Sequence, residues 1–246
     1  MLSQQSDALA IDGLINLRDL GGLPAASGAT TLPGRLLRSE SPHTLSAGGL
    51  QELLDLGIGA VIDLRTVSER EHRPSPLAEA GVHVAHAPIF SDDDDYPDHL
   101  ATAAEMYCWW LRERRTGVAA AMTSIADAKC APVLVHCHAG KDRTGVIIAL
   151  VLRLAGVSVD AIADDYAISG VQLAEMLARD RVTALERGMD KVRVERIFTV
   201  RREAMVETMQ CVDTEHGGIV SLLHGLGLDD ARIERLRGLL LSPTWP

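Results

Sequence analysis

Basic side chains are in deficit: 24 lysines and arginines stand against 34 aspartates and glutamates, a formal net charge of −10. That field repels nucleic acid and anionic lipid. No nucleic-acid partner and no stable membrane association are therefore expected, and any anionic ligand must be captured locally. The opening stretch, Met1 to Gly13, has neither a basic segment nor an apolar one, so no secretory leader is visible. Cytoplasm is the expected compartment, with export by another route left open. The longest apolar run, Gly145 to Val159, is interrupted by Arg153 and is too short for a hydrocarbon layer of about 30 Å; it reads as a buried helix. The four cysteines, Cys108, Cys130, Cys137 and Cys211, lack paired spacing, which argues against a disulfide framework and for reduced thiols. Cys130 and Cys137 flank a strand that would hold them about 20 Å apart. There is no repeat at solenoid periods and no low-complexity tract beyond Asp92 to Asp95.

What is present is ordinary globular composition, 47% hydrophobic and 24% charged, enough for one α/β domain spanning residues 1–246 with its own core. Strands are predicted at Arg35 to Arg38, Ala60 to Leu64, Val82 to Ile89 and Pro132 to Val135, and helices at Ser46 to Leu56, Val67 to His72 and Thr144 to Leu154. From about His99 to Ala128 the pattern is helical with a break expected at Gly117. Beyond Ser158 everything reads as helix, with stops at Gly188, Gly217-Gly218 and Gly227 and an ambiguous stretch over Val192 to Val200. The β/α alternation favours a mostly parallel central sheet flanked by helices.

The chemistry concentrates in His136-Cys137-His138-Ala139-Gly140-Lys141-Asp142-Arg143-Thr144-Gly145. A Cys followed six positions later by Arg is weak on its own; its context makes it specific. An apolar strand feeds a tight loop, and the loop opens directly into an apolar helix, so backbone N–H groups and a helix N-terminus converge on an anion. The thiolate is the nucleophile, and such a setting stabilises it. Arg143 can grip two phosphate oxygens through its planar fork and hold them as the phosphoryl group becomes trigonal, which lysine cannot reproduce. Thr144 can donate its hydroxyl to the cysteine sulfur as it leaves, and Lys141 adds positive charge at the loop rim. His138, Ala139, Gly140, Lys141, Thr144 and Gly145 are thus the expected substrate-binding positions, with Cys137 and Arg143 catalytic. A merely buried cysteine leaves the Gly, Lys, Arg and Thr unexplained. Metal binding by His136, Cys137 and His138 is disfavoured because consecutive residues do not readily all reach one ion, so no metal and no cofactor are expected.

This segment resembles the signature of the bacterial cysteine-dependent tyrosine phosphatases of the mycobacterial type. The likeness extends to Asn16 through Gly22, Arg38-Ser39, Val61 through Arg65 with Glu69, and Arg235 through Leu240. It implies a tyrosine-phosphatase-like α/β fold with a helical lid or cap, drawn from within about 91–128 and 158–215. The implied activity is phosphomonoester hydrolysis through a cysteinyl-phosphate, of protein-tyrosine or dual-specificity type, on a phosphorylated protein. A small phosphomonoester such as a nucleoside, sugar or inositol phosphate would use the same chemistry, and an inactive phosphopeptide-binding module or a sulfurtransferase are the readings from other classes. Three carboxyls compete to protonate the leaving oxygen: Asp142, Asp63 and the Asp92 to Asp95 run. The resemblance favours Asp142, with Asp63 second; Arg18 and Asp19 are expected to brace the core beneath the loop.

Overall fold

Residues 9–94, 97 and 99–245 are described in the computed structural model. Its strands are β1 (Arg18–Asp19), β2 (Leu36–Ser39), β3 (Ala60–Asp63), β4 (Val84–His86) and β5 (Val133–His136). Their apolar residues alternate between two cores: Leu36, Ile62, Val133 and Val135 join the larger, Leu37, Val61 and Leu134 the smaller on the opposite face. A period of two with both faces covered is what near-continuous Val/Ile/Leu strands produce.

The sheet runs β1-β2-β5-β3-β4, with β1 antiparallel to β2 and the other pairs parallel. Ser39 and Asp63 both lie opposite His136, and His86 lies opposite Asp63. The carboxyl ends of four strands therefore form one row, and the loops that leave them share one edge. In open α/β sheets this edge is where ligands bind.

The helices are α1 (Ala47–Asp55), α2 (Val67–His72), α3 (Ala103–Glu113), α4 (Arg115–Ala126), α5 (Asp142–Leu154), α6 (Val159–Gln172), α7 (Ala174–Glu186), α8 (Lys191–Phe198), α9 (Arg202–Glu215), α10 (Ile219–Gly225) and α11 (Asp230–Leu241). Helix α5 is buried along almost its whole length, from Arg143 to Leu154, as its uninterrupted apolar run requires. The N-terminus of α2 is set by a reciprocal capping box of Thr66 and Glu69, which fixes the Glu69 side chain as well as the helix start.

Three expectations shift. The helical break falls at Arg114, between α3 and α4, not at Gly117. Gly117 instead lets its helix touch the preceding loop: a Cβ there would stand 2.3 Å from the Ile89 carbonyl oxygen. The ambiguous stretch becomes α8, capped by Asp190. The two-residue β1 is an addition, and the strand predicted over Val82 to Ile89 is shortened to β4.

Candidate active site

Cys137 follows β5 directly, and α5 begins five residues later. Cys137 is buried, as are His136, Lys141, Arg143 and Thr144. Between them the chain turns at Gly140, whose φ of +67 and whose approach to the Ser39 carbonyl, 2.2 Å from an added Cβ, exclude any side chain.

The loop is held from outside by its carbonyls. The Ser41 N–H donates to the His138 oxygen at 2.9 Å, Asn16 Nδ2 to that of Ala139 at 2.9 Å, and Arg38 Nη2 to that of Gly140 at 2.7 Å. In a planar trans peptide the C=O and the next N–H point opposite ways. With these three carbonyls turned out toward the β1–β2 side, the N–H groups of Ala139, Gly140 and Lys141 turn to the other side, into the concavity of the loop. That is an anion nest closed by the N-terminus of α5.

Arg38 is itself held by a buried ion cluster. Asp165 of α6 accepts from Arg18 Nε at 2.7 Å and from Arg38 Nη1 at 2.5 Å, with all three side chains nearly solvent-free. Burial opposes ionisation of Asp165, yet the charges of Arg18 and Arg38 outweigh it and bring its pKa down to about 2. Arg18 is lowered to about 10, by burial first and then by the charge of Arg38. Arg18, expected to brace the core beneath the loop, is buried and paired with Asp165. Asp19 plays a separate part, accepting from the N–H groups of Gly21 and Gly34 at the adjoining turn.

Arg143 points its fork at Glu69: Nη1 lies 2.5 Å from Oε2 and Nη2 2.7 Å from Oε1. Burial alone would raise the Glu69 pKa, but the hydrogen bond and charge of Arg143 pull it down to about 2. The guanidinium also lies 5.0 Å from the centre of the Phe90 ring, so its plane is set from two sides. Thr144 Oγ1 is buried and finds no hydrogen-bond partner among the described residues.

The candidate carboxyls separate clearly. Asp142 is part-exposed on the loop, accepts a short hydrogen bond from the Tyr107 hydroxyl and lies 3.1 Å from Lys141 Nζ. Tyr107 in turn meets Tyr166 O–H at 2.8 Å; both phenols have raised pKa values, burial being the largest cause in each. Asp63 ends β3, opposite His136 of β5. Its carboxylate is gripped by Arg65 at 2.7 Å, with Arg70 at 3.4 Å and His136 Nε2 at 3.8 Å. Burial works against its charge, but Arg65 and His136 prevail and lower its pKa. In the acidic run, Asp92 accepts from the Ser68 N–H and Asp94 pairs with Arg114; Asp95 lies outside the described residues.

Lys141 differs from expectation. It is not at an open rim: its buried ammonium donates to the Ile197 carbonyl of α8 at 2.6 Å. His138 is held by Arg73 Nη1, 3.0 Å from its Nε2. Burial and then the charge of Arg73 lower its pKa to about 4, so it is neutral at pH 7.

A cavity of about 180 Å³ opens onto Asp142 and Arg143, walled by Phe90, by Met106 and Trp110 of α3, and by Arg193, Arg196 and Ile197 around α8. Tyr107, Tyr166, Asp165 and these apolar walls were not foreseen as site residues. A sequence signal existed for the tyrosines: the chain has 3, and two of them meet beside Asp142.

The family model described as "Tyrosine phosphatase family" matches residues 9–242. The triple specificity protein phosphatase PtpB of Mycobacterium tuberculosis is 30% identical over 276 positions, covering 94% of this chain and 98% of the relative. A putative tyrosine-protein phosphatase of Cupriavidus necator is 31% identical over 251 positions, covering 95% and 88%. A tyrosine-protein phosphatase of Nostoc commune is 27% identical over 225 positions, covering 85% and 75%.

Proposed function

The chain belongs to the tyrosine phosphatase family and is a cysteine-based phosphatase, and on that premise we propose that Cys137 is its nucleophile and a phosphotyrosyl protein its substrate. The Cys137 thiolate attacks phosphorus, forming the S–P bond as the P–O bond to the leaving oxygen breaks. The N–H groups of Ala139, Gly140 and Lys141 and the guanidinium of Arg143, oriented by Glu69, hold the non-bridging oxygens, where charge is greatest in the transition state. Asp142 gives its proton to the leaving oxygen and then takes one from the water that cleaves the phosphocysteine, while Thr144 Oγ1 donates to the departing sulfur. Asp63, held ionised by Arg65 and His136, supports the loop from behind. The walls of α3 and α8 act as the lid, tied to the loop through Tyr107 and Lys141.

The observation that carries this reading is the set of three loop carbonyls turned outward by Ser41, Asn16 and Arg38. The substrate class rests on the walls: Phe90, Met106 and Trp110 suit a phenyl ring better than a sugar. The description of the mycobacterial relative as triple-specificity supports testing more than one phosphate ester.

The test is a substrate panel read with Cys137→Ser. The parent should hydrolyse phosphotyrosyl peptide with a higher kcat/KM than sugar or nucleoside phosphates, and Cys137→Ser should bind the peptide without turnover. More than about a tenth of the activity in Cys137→Ser would refute the nucleophile. Preference for a small phosphometabolite would overturn the substrate class alone.

A further inference from the structure

Away from the phosphate loop, α3 and α9 bring together four side chains that the phosphatase chemistry does not use. We propose that Cys108, Cys211, Glu215 and His216 form a structural binding site for a thiophilic divalent cation, Zn²⁺ in the first instance, that clamps α3 to the end of α9.

The donor atoms of Cys211, Glu215 and His216 all lie within 4.8 Å of one another. Two ligands bonded to one zinc at about 2.0 to 2.3 Å can be at most about 4.6 Å apart, so these three reach a common ion with small side-chain movements. Cys108, whose thiol interacts with that of Cys211, is proposed as the fourth donor, reached by a movement of its side chain, since it stands outside the three-donor cluster. Residues four apart stand on one helix face, which places Glu215 one turn beyond Cys211, and the cap geometry of His216, φ −112 and ψ −2, brings the imidazole alongside.

His216 Nε2 is the independent pointer to a ligand. It is buried and has no hydrogen-bond partner among the described residues, an arrangement that costs free energy unless something occupies the position.

The charges also balance. Binding releases the two thiol protons, and two thiolates with one carboxylate face the dication. The remaining negative charge is met by Arg112, whose Nη1 lies 2.8 Å from Glu215 Oε2, leaving Oε1 for the ion. Glu215 and His216 stand at the C-terminal end of α9, where the helix dipole favours a cation. Cys108 follows Tyr107, the partner of Asp142, so the clamp would fix the wall of the active site without touching it.

The experiment titrates reduced Cys137→Ser protein, which lacks the nucleophilic thiol, with Co²⁺ and then Zn²⁺. One equivalent of Co²⁺ should develop thiolate charge-transfer and tetrahedral d–d absorption that Zn²⁺ removes. The bands should vanish in His216→Ala and in Cys108→Ser with Cys211→Ser, and persist in Cys130→Ser. Zn²⁺ should raise the melting temperature of the Cys137→Ser protein and not that of its His216→Ala variant. Absence of thiolate bands, or their persistence after both sets of substitutions, overturns the site. A Cys108–Cys211 disulfide found by peptide mapping in protein that takes up no metal under reducing conditions would overturn it equally.

Discussion

Replacing Asp165 with asparagine should both destabilise the protein and loosen the phosphate loop, because one carboxylate holds two buried guanidinium groups. Its pKa falls from an ordinary 3.8 to about 2, which at about 1.4 kcal/mol per unit is on the order of 2 to 3 kcal/mol favouring the ionised form. The substitution removes more than that, since Arg18 and Arg38 then lose the carboxylate that pairs with both. Breaking a buried pair this way costs about 3 to 5 kcal/mol. For a chain of this length that is a fall in melting temperature of roughly 6 to 20 °C. Thermal and urea unfolding give the stability; vanadate inhibition and p-nitrophenyl phosphate turnover read the loop, whose Gly140 carbonyl depends on Arg38. The folded pKa lies below the unfolded one, so the contribution of Asp165 is complete above about pH 4 and is lost as pH falls toward 2. That part of the acid limb should be missing in Asp165→Asn. The double variant Asp165→Asn with Arg38→Met should recover part of the stability, having one fewer buried charge, but none of the activity. A loss under about 1 kcal/mol in Asp165→Asn with unchanged vanadate affinity would refute the reasoning.

Three further outcomes follow from the site. Gly140→Ala should lower kcat/KM at least a hundredfold, because its Cβ would meet the Ser39 carbonyl at 2.2 Å from a left-handed backbone; near-normal kinetics on an aryl phosphate would contradict the close packing. Glu69→Gln should reduce kcat/KM about tenfold: the depression of its pKa from 4.5 to about 2 corresponds to about 3 kcal/mol, which partial solvent exposure discounts to about 1 to 2. Unchanged kcat/KM would deny Glu69 a part in orienting Arg143. Asp142→Asn should slow phenyl phosphate far more than p-nitrophenyl phosphate, since an acid matters most to a poor leaving group, by up to about 10² to 10⁴-fold. If Asp63→Asn produces that selective loss and Asp142→Asn slows both esters equally, the proton comes from Asp63.

The loop between β5 and α5 was legible in the sequence because its determinants are local. Strand, glycine turn and helix start occupy fourteen consecutive positions, from Pro132 to Gly145, and the residue types suited to an anion occur nowhere else in that order. The break at Arg114 was misplaced to Gly117 because a glycine serving close packing on Ile89 looks, in one dimension, like a glycine ending a helix. Strand β1 was missed because Arg18 and Asp19 show no apolar alternation; what buries Arg18 is Asp165, 147 positions away. The hydrogen bond from Tyr107 to Asp142 spans 35 positions, and no periodicity announces it.

Glu69 marks the boundary between what the chain declares and what it conceals. As the fourth residue of Thr66-Val67-Ser68-Glu69, it is a readable helix cap, and it performs that task. The same carboxylate also receives both ends of the Arg143 fork, 74 positions along the chain. The cap is what makes the second role possible: the bond to the Thr66 N–H at 2.9 Å holds the Glu69 side chain at the helix start, where Arg143 meets it. A local rule therefore located the group, while only the parallel pairing of β3 with β5, which sets Asp63 opposite His136, brought it to the arginine it orients.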